Sequence, residues 1–364
     1  MTFTRTIACV IGTRPEAIKM APVVHALRQS PWARCVVIAT AQHRGLLDAM
    51  LSRLRLPVDH DLNLMLDGQR PTGLLARMLP ALDAVLDLER PDAALAQGDT
   101  TTVFGAALCA FHQRVPFGHI EAGLRTHDLE HPFPEEGYRQ MVSRVARWHF
   151  APTAAAAAAL RAEGIPPQRI HVTGNTCIDT LLHTVTELGQ PTPEPGRLLV
   201  LTAHRRENFG APLRAIFSGV RRIVEQFPDV RVVYPVHPNP NVAGPARELL
   251  SGHARIELCE PLDYFEFVAL MRRATLILTD SGGIQEEAPA LGKPVLVLRD
   301  TTERPEAVTA GVARIVGTRT DAIIDAVSAL LSEDAAYAWM ARGISPFGDG
   351  KAAQRIIEVL AGEI

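Results

Sequence analysis

Short apolar runs alternate with helical patterns along most of the 364-residue chain. Runs such as 6–11, 93–96 and 198–202 are each followed by a segment whose apolar residues recur at helical spacing. Continuous apolar runs of this length are typical of strands buried on both faces. The pattern therefore predicts an α/β fold class, built from βαβ units as doubly wound parallel sheets with helices on both faces.

A proline-rich stretch, 189–196, interrupts this alternation before the pattern restarts at Leu198. The length of the chain also suggests two domains. We assign residues 1–173 to an N-terminal domain and residues 174–349 to a C-terminal domain. Doubly wound sheets bind ligands at the carboxyl ends of their strands, so the polar motifs that follow strands predict one site in the cleft between the domains.

The clearest of these motifs lies between residues 274 and 288. A buried strand, 275–279, is predicted to end in a glycine turn, 280–283, and a helix is predicted to begin at Ile284. Ser281 would cap this helix, while the glycines would let backbone N–H groups approach a phosphate or diphosphate. Glu287, one turn inside, suits a sugar hydroxyl. The alternative interpretation is an ordinary capped turn between strand and helix.

The turn after the first strand, 12–16, leads into a helix that carries Arg14 and Lys19 near its start. Cations there oppose the helix dipole, and an anionic ligand would offset that cost. Two solvated surface cations are the alternative. The sequence GxGxxG occurs nowhere in the chain, which counts against a bound NAD or FAD.

Three carboxylates, Asp99, Glu121 and Glu135, follow strands or open a helix and could converge as acid and base groups. Like charges held close together raise one another's pKa toward neutrality. Taken singly, each is more often a helix cap or a surface charge. His204 follows the first strand of the second half, where it could protonate or hydrogen-bond a leaving phosphate. Its alternative is a core histidine satisfied by the backbone.

Composition narrows the class of protein further. The chain is 47% hydrophobic and 21% charged with a formal net charge of −3, which is typical of a soluble globular protein and argues against nucleic-acid binding. No segment has the roughly 18 apolar residues of a membrane span, and the N-terminus does not resemble a signal peptide. The five cysteines are scattered and never spaced as CxxC, which favours a reducing cytoplasm over disulfides or zinc.

With these motifs in order, the chain resembles the bacterial non-hydrolysing UDP-N-acetylglucosamine 2-epimerases over nearly its whole length, from 12–16 to 299–306. The resemblance implies two Rossmann-like domains in the B-type glycosyltransferase (GT-B) arrangement, with the helix 350–364 packing back on the first domain. It also implies a cytoplasmic homodimer that reversibly epimerises UDP-GlcNAc to UDP-ManNAc at C2 for surface polysaccharide biosynthesis. The implied route eliminates UDP to give 2-acetamidoglucal and adds it back, without cofactor or metal.

Matching the family position by position gives three sets of residues. The implied catalytic groups are Asp99, Glu121, Glu135, Arg139 and His204. The implied nucleotide-sugar contacts are Arg14, Lys19, Phe267, Ser281, Gly282, Gly283, Glu287 and Arg304. A regulatory site for a second UDP-GlcNAc would use Gln42, Gln69, Glu136, Arg205 and His237. The chain departs from the family pattern at two places, Leu262 near the uracil position and Gly137-Tyr138 in place of an asparagine before Arg139.

Three other functions would suit parts of the same pattern. A hydrolysing epimerase would release ManNAc and UDP, and a GT-B glycosyltransferase would need an acceptor as well as a UDP-sugar. A regulator that binds a nucleotide sugar without chemistry would need only the phosphate turn. Such a regulator would not need three carboxylates at strand ends.

Overall fold

The computed structural model describes residues 5–40, 44–66, 68–192 and 195–364. The chain divides into two compact units: Met1–Thr180 with Phe347–Ile364 forms unit 1, and Leu181–Pro346 forms unit 2. Each unit contains a parallel sheet flanked by helices. The predicted fold class, α/β with two doubly wound domains, is confirmed. The domain limits 1–173 and 174–349 stay a prediction, and the helix Thr176–Leu188 crosses the division between the units.

Unit 1 alternates strands and helices as its apolar pattern predicts. Its elements are β1 (Arg5–Ile11), α1 (Arg14–Gln29), β2 (Ala33–Ala39), α2 (Arg44–Arg53), β3 (His60–Asp61), α3 (Pro71–Glu89), β4 (Ala93–Gln97), α4 (Thr101–His112), β5 (Phe117–Ile120), α5 (Glu135–Val145), β6 (Trp148–Ala151), α6 (Ala154–Ala162), β7 (Ile170–Val172) and the first part of α7 (Thr176–Leu188). The strands pair in parallel in the order β3-β2-β1-β4-β5-β6-β7.

Unit 2 follows the same plan. Its elements are β8 (Arg197–Thr202), α8 (Ala211–Gln226), β9 (Val230–Pro235), α9 (Pro240–Leu250), β10 (Ile256–Cys259), α10 (Tyr264–Arg273), β11 (Leu276–Thr279), α11 (Gly282–Ala290), β12 (Val295–Val297), α12 (Pro305–Thr309), β13 (Ala313–Ile315), α13 (Thr320–Ser332) and α14 (Asp334–Met340). The strands pair in parallel in the order β10-β9-β8-β11-β12-β13.

The strand order reverses direction at one place in each sheet. In unit 1 the chain moves outward from β1 to β2 and later returns to lay β4 on the other side of β1. In unit 2 the same reversal occurs between the neighbouring strands β8 and β11. A reversal of this kind opens a crevice at the carboxyl ends of the two strands, and ligands of doubly wound sheets bind there. A ligand crevice is therefore expected at each of these two strand pairs.

The last helix, α15 (Ala352–Glu363), belongs to unit 1 and packs against α1. The carboxylate of Asp179 accepts hydrogen bonds from the amides of Ala352 and Ala353, at 3.2 and 2.8 Å, and so caps this helix. At its other end, Trp148 Nε1 donates to Glu363 Oε2 at 2.8 Å. These contacts join the end of the chain to β6 and α7.

Two features of unit 2 differ from the sequence prediction. Helix α11 begins at Gly282, so the prediction of a glycine turn before a helix at Ile284 was wrong. The chain turns at Ser281, whose extended backbone (φ −83°, ψ 132°) occupies the N-cap position, and both glycines lie in the first helical turn. The elements α12, β13 and α14 were missed, because segments of three to seven residues are too short to show a period.

None of the helices within the described ranges is both long enough and apolar enough to cross a membrane.

Candidate active site

The reversal in unit 1 carries a cavity of about 470 Å³ at the carboxyl ends of β1 and β4. Both strands end at the same edge of the sheet, and α1 and α4 begin there. Three residues predicted for the site, Arg14, Asp99 and Glu135, line this cavity together with Tyr138. Tyr138, which stands in place of the family's asparagine, stacks on Phe104 with ring centroids 5.0 Å apart. We call Asp99, Glu121 and Glu135 the carboxylate site.

Asp99 is held by Arg139. The Nε and Nη2 atoms of Arg139 lie 2.8 and 2.7 Å from Asp99 Oδ2, and its Nη1 donates to Glu136 Oε2 at 3.3 Å. Arg139 and Glu136 are buried, whereas Glu135 is half-buried beside the cavity. Glu135 lies four residues before Arg139 on α5, but Arg139 donates to Asp99 and Glu136. Glu136, predicted as a regulatory contact, thus orients the arginine that holds Asp99.

Glu121 is fixed by two donors. Lys19 Nζ and Gln97 Nε2 each lie 2.5 Å from Glu121 Oε2, and the glutamate side chain is only 6% exposed. Its backbone has φ 65°, in the left-handed region that costs a non-glycine residue about 1–3 kcal/mol. Such strain is tolerated where the surroundings fix the conformation, and it clusters at functional sites. Lys19 is therefore an ion-pair partner of Glu121 in this structure.

Glu16 connects the turns that carry Arg14 and Asp99. Its Oε2 accepts hydrogen bonds from the amides of Gly12 and Thr13, each at 2.7 Å, and its Oε1 accepts from Thr100 Oγ1 at 2.5 Å. Burial raises the pKa of Glu16 to about 7. The sequence prediction gave this residue no role, although Thr13-x-x-Glu16 is a capping box that the spacing alone could have revealed.

His119 supports the turn that precedes Asp99. Its Nε2 lies 2.7 Å from the carbonyl oxygen of Gly98, whose φ of 91° lets the chain turn after β4. Burial lowers the pKa of His119 to about 3, so the ring is neutral at ordinary pH and Nε2 donates to the carbonyl. His119 was also missed, since a lone histidine inside an apolar strand gives no sequence signal.

The reversal in unit 2 places two guanidinium groups at the start of α11. The Nη2 atoms of Arg205 and Arg304 lie 3.7 and 3.8 Å from the position that a Cβ would take on Gly282. Two cations beside the positive end of a helix repel one another and the helix dipole, and this arrangement favours an anionic ligand such as a diphosphate. We call Arg205, Arg304 and the first turn of α11 the arginine site. Arg205 was predicted for a regulatory site and lies here beside Arg304.

Ser281 occupies the N-cap position of α11, but its side chain makes no capping hydrogen bond. The prediction that Ser281 caps this helix through its hydroxyl was therefore wrong. Its own amide donates to Thr279 Oγ1 at 3.0 Å, which fixes the backbone ahead of the helix. Because the hydroxyl does not bond the first-turn amides, those amides remain directed toward any ligand at the helix start.

A buried network holds Arg304 in place. Its Nε donates to Glu286 Oε1, and its Nη1 donates to the carbonyl of Glu303 at 3.1 Å. Thr302 Oγ1 donates to Gln285 Oε1 at 2.5 Å and accepts from the Arg304 amide at 3.0 Å. The side chains of Arg304 and Glu286 are 9% and 1% exposed. Their pairing fixes the turn after β12 to α11.

His204 follows β8 and faces Asp280, which follows the neighbouring strand β11. His204 Nδ1 lies 3.5 Å from Asp280 Oδ1, and the His204 ring stacks on His237 with centroids 5.4 Å apart. Asp280 is completely buried, whereas the His204 side chain is 38% exposed. Burial lowers the pKa of His204, and the charge of Asp280 opposes that shift. Asp280 received no role in the sequence prediction.

The other predicted contacts lie elsewhere in the two units. Phe267 is half-buried on α10, and Glu287 accepts a hydrogen bond from Tyr264 Oη at 3.2 Å. Gln69 accepts from the Leu66 amide at 3.2 Å and from Arg77 Nη2 at 2.6 Å. Gln42 lies outside the described residues. Within those residues, no group of three or more His, Cys, Asp or Glu side chains could hold a metal ion.

The family model, the sequence relatives and the solved structures that match this chain all indicate the same family. The family model described as UDP-N-acetylglucosamine 2-epimerase matches residues 25–361. The UDP-N-acetylglucosamine 2-epimerase of Yersinia pestis is 49% identical, over 96% of this chain and 97% of that protein. The crystal structure of UDP-GlcNAc 2-epimerase from Neisseria meningitidis bound to UDP-GlcNAc is 43% identical with a TM-score of 0.93, covering 98% of this chain and 100% of that one. The S. aureus MnaA structure with UDP is 44% identical with a TM-score of 0.90, covering 99% and 98%.

Proposed function

Because the chain belongs to the UDP-N-acetylglucosamine 2-epimerase family, we propose that it interconverts UDP-GlcNAc and UDP-ManNAc by inverting C2 of the sugar. The observation that carries this proposal is the cavity where β1 and β4 end, which gathers Arg14, Asp99 and Glu135. A protein that only binds a nucleotide sugar has no need of oriented carboxylates there. Positioned carboxylates can remove a proton from carbon and return one, which is how a carbon centre is inverted by acid–base catalysis.

Inversion of C2 also requires a site for the diphosphate, in addition to the carboxylates. No neighbouring carbonyl acidifies the hydrogen on C2, so a side-chain base cannot remove it from the intact sugar at a useful rate. If UDP departs first, the ring gains oxocarbenium character and the C2–H bond becomes acidic. A carboxylate then takes the proton and leaves 2-acetamidoglucal. Addition of UDP to C1 and of a proton to the other face of C2 gives the epimer.

We assign the departing UDP to the arginine site. Arg304, Arg205, the first-turn amides of α11 and His204 offer hydrogen bonds where negative charge develops on the leaving diphosphate. Preorganised donors of this kind contribute several kcal/mol, about 3–4 for a single well-placed donor. Arg14, at the start of α1 in unit 1, adds a cation beside the cavity.

We assign proton transfer at C2 to the carboxylate site. Arg139 orients Asp99, and Lys19 with Gln97 orients Glu121. Glu135 lines the cavity, and within the described part of the chain its carboxylate has no hydrogen-bond partner. Its oxygens are therefore available to a sugar. General acid–base catalysis by such groups contributes a factor of about 10²–10⁴ in rate.

The remaining parts of the proposal rest on the family alone or on composition. A homodimer, the role in surface polysaccharide biosynthesis and the regulatory site at Gln42, Gln69, Glu136, Arg205 and His237 stay predictions. We propose the cytoplasm as the location, because the five cysteines are free and suit a reducing compartment.

One experiment tests the proposed function against its competitors. Purified protein is incubated with UDP-GlcNAc in D2O without NAD, metal or acceptor, and the sugar is followed by proton NMR. We expect UDP-ManNAc to form and deuterium to appear at C2, because the proton taken by the carboxylate exchanges with solvent. Free ManNAc with UDP would instead indicate a hydrolysing epimerase. An unchanged sugar with its C2 proton retained would indicate a transferase or a binding protein.

A further inference from the structure

Asp280 is a buried carboxylate whose two oxygens have different surroundings. Oδ2 accepts hydrogen bonds from the amides of His204 and Arg205, each at 2.8 Å, and from Asn208 Nδ2 at 3.0 Å. Oδ1 is also buried, and among the described residues it has no hydrogen-bond partner. The polar atom that it faces is His204 Nδ1, 3.5 Å away. Oδ2 thus fixes the backbone of the loop that carries His204, and Oδ1 is directed at the His204 ring.

The fold explains this juxtaposition. Strands β8 and β11 are neighbours, with Thr202 paired to Thr279 at their ends, and the two threonine hydroxyls lie 2.6 Å apart. Asp280 follows Thr279 directly, and His204 comes two residues after Thr202. Asn208 Nδ2 also donates to the carbonyl of Leu298 at 3.1 Å, which holds the loop against the next strand end. The carboxylate therefore cannot move away from the ring without breaking its contacts with residues 204–208.

We propose that Asp280 is a positioning residue for His204, holding Nδ1–H toward the carboxylate so that Nε2 is presented to the leaving diphosphate. The inference rests on the proposed function, since it deepens the role given to His204. The two nitrogens of an imidazole lie on different edges of the ring, and fixing one as a donor determines the tautomer and the direction of the other. Catalytic hydrogen bonds are commonly long without substrate and tighten in its complex, so 3.5 Å suits this role.

The charges around His204 agree with this role. Burial lowers the pKa of His204, and the neighbouring ring of His237 and the guanidinium of Arg205 act in the same direction. Asp280 is the group that favours the charged ring. Tyr234, on β9, also faces Asp280, but it donates its own proton to the carbonyl of Ala203 at 2.6 Å. When negative charge arrives beside Nε2, Asp280 supplies the second acceptor that an imidazolium requires.

The test begins with the wild-type protein labelled with 15N histidine. Ring nitrogen shifts and couplings report which nitrogen carries the proton, and they do so whether or not the protein epimerises anything. We expect the neutral His204 ring to carry its proton on Nδ1. A neutral ring protonated on Nε2 would overturn the proposal. Because this measurement needs no variant, it decides the question even if substitution of Asp280 prevents folding.

The variant Asp280→Asn then tests the consequence. An asparagine can still accept from the loop amides, but its NH2 group faces Nδ1 and favours the other tautomer. We expect a switch to Nε2–H, a lower His204 pKa and a fall in kcat of about 10²-fold or more, with KM changed less than about threefold. Asp179→Asn is the matched control, because Asp179 also accepts two backbone amides but lies in unit 1. It should change neither the His204 tautomer nor kcat.

The outcomes separate this inference from the proposed function. A wild-type ring with Nδ1–H and a variant with the switched tautomer would support the positioning role even if UDP-GlcNAc were not a substrate. Wild-type kcat in a folded Asp280→Asn protein that epimerises UDP-GlcNAc would overturn the role while leaving the proposed function standing. A loss of kcat with an unchanged tautomer would also overturn it, because Asp280 would then act through structure alone.

Discussion

The carboxylate site and the arginine site occupy the same topological position in two units of the same design, yet they carry opposite charge. In unit 1, β1 and β4 end in a cavity lined by Asp99 and Glu135. In unit 2, β8 and β11 end at a helix start beside Arg205 and Arg304. The fold thus provides a ligand crevice in each unit, and the side chains at its rim decide the chemistry.

The two sites also differ in how their charged groups are held. Asp99 and Glu121 have ion-pair partners whose donors lie at 2.5–2.8 Å, which orients each carboxylate. Arg304 forms a buried ion pair with Glu286, and its Nη2 still lies near Gly282. The first arrangement suits proton transfer at carbon, and the second suits a multiply charged leaving group.

The largest effect should come from neutralising the carboxylate site. Asp99→Asn, Glu121→Gln and Glu135→Gln each remove a charge at nearly constant volume, so each should slow C2 deuterium exchange by about 10²–10⁴-fold. Proton NMR in D2O measures the rate. Asp92→Asn is the control. Asp92 directly precedes the N-terminal end of β4, whereas Asp99 follows the C-terminal end, and Asp92 pairs with Arg5. If all three variants exchanged at the wild-type rate, the assignment of acid and base groups would be wrong.

A second effect concerns the stability of the same unit. Burial raises the pKa of Glu16 from 4.5 to about 7, so between these values the folded protein binds more protons than the unfolded chain. Stability should therefore fall as pH rises from 4.5 to 7, by about 3 kcal/mol from this group. Urea unfolding at several pH values should show this slope in the wild type and a flatter one in Glu16→Gln. Equal slopes in the two proteins would remove Glu16 as the cause.

Arg304→Ala should affect both binding and folding. Loss of one guanidinium from the arginine site should weaken UDP affinity about tenfold to a hundredfold by calorimetry. The buried Glu286 would lose its partner, so the free energy of unfolding should fall by about 3–5 kcal/mol. Arg304→Lys keeps the charge and separates the two effects. Arg214→Ala, at an exposed pair with Glu248, is the control. Unchanged UDP affinity in Arg304→Ala would take the diphosphate away from this site.

The smallest effect is expected at Ser281. A capping serine replaced by alanine usually costs about 1 kcal/mol, but this hydroxyl caps nothing, so Ser281→Ala should change unfolding by less than about 0.5 kcal/mol. UDP affinity should still fall by a few-fold, because the hydroxyl stands at the helix start where the ligand would bind. Loss of stability without loss of affinity would mean that Ser281 acts as a cap after all.

Much of the fold followed from the sequence, because buried parallel strands leave a strong apolar signal. The apolar runs 6–11, 93–96 and 198–202 fall within strands β1, β4 and β8. The misses have physical causes: β3 has two residues and β13 has three, too few to form a pattern. Helix α11 begins earlier than predicted, because glycine usually indicates a turn, whereas Gly282 here keeps the helix start open.

The site was predictable only in part. Asp99, Arg14 and Glu135 follow strands or open helices, and the rule of strand ends located them. The residues that support them were missed. The capping box of Glu16 is visible in the local spacing, but its bond to Thr100 is not, and His119 and Asp280 act through buried contacts between segments far apart in sequence. Such contacts depend on which strands are neighbours, and sheet order is not visible in a local pattern. The sequence therefore predicts the groups at the cavity rim better than the groups that hold them.

We propose that UDP leaves the sugar before C2 is inverted, and a positional isotope experiment can detect this departure. UDP-GlcNAc carrying 18O at the oxygen between C1 and phosphorus is incubated with the wild-type protein, and the 31P NMR signal of the recovered nucleotide sugar is followed. Cleavage of the C1–O bond lets the freed phosphate oxygens exchange places before UDP adds back. We predict that the label spreads into non-bridging positions as epimerisation proceeds. Epimerisation with the label retained entirely in the bridge would contradict the claim.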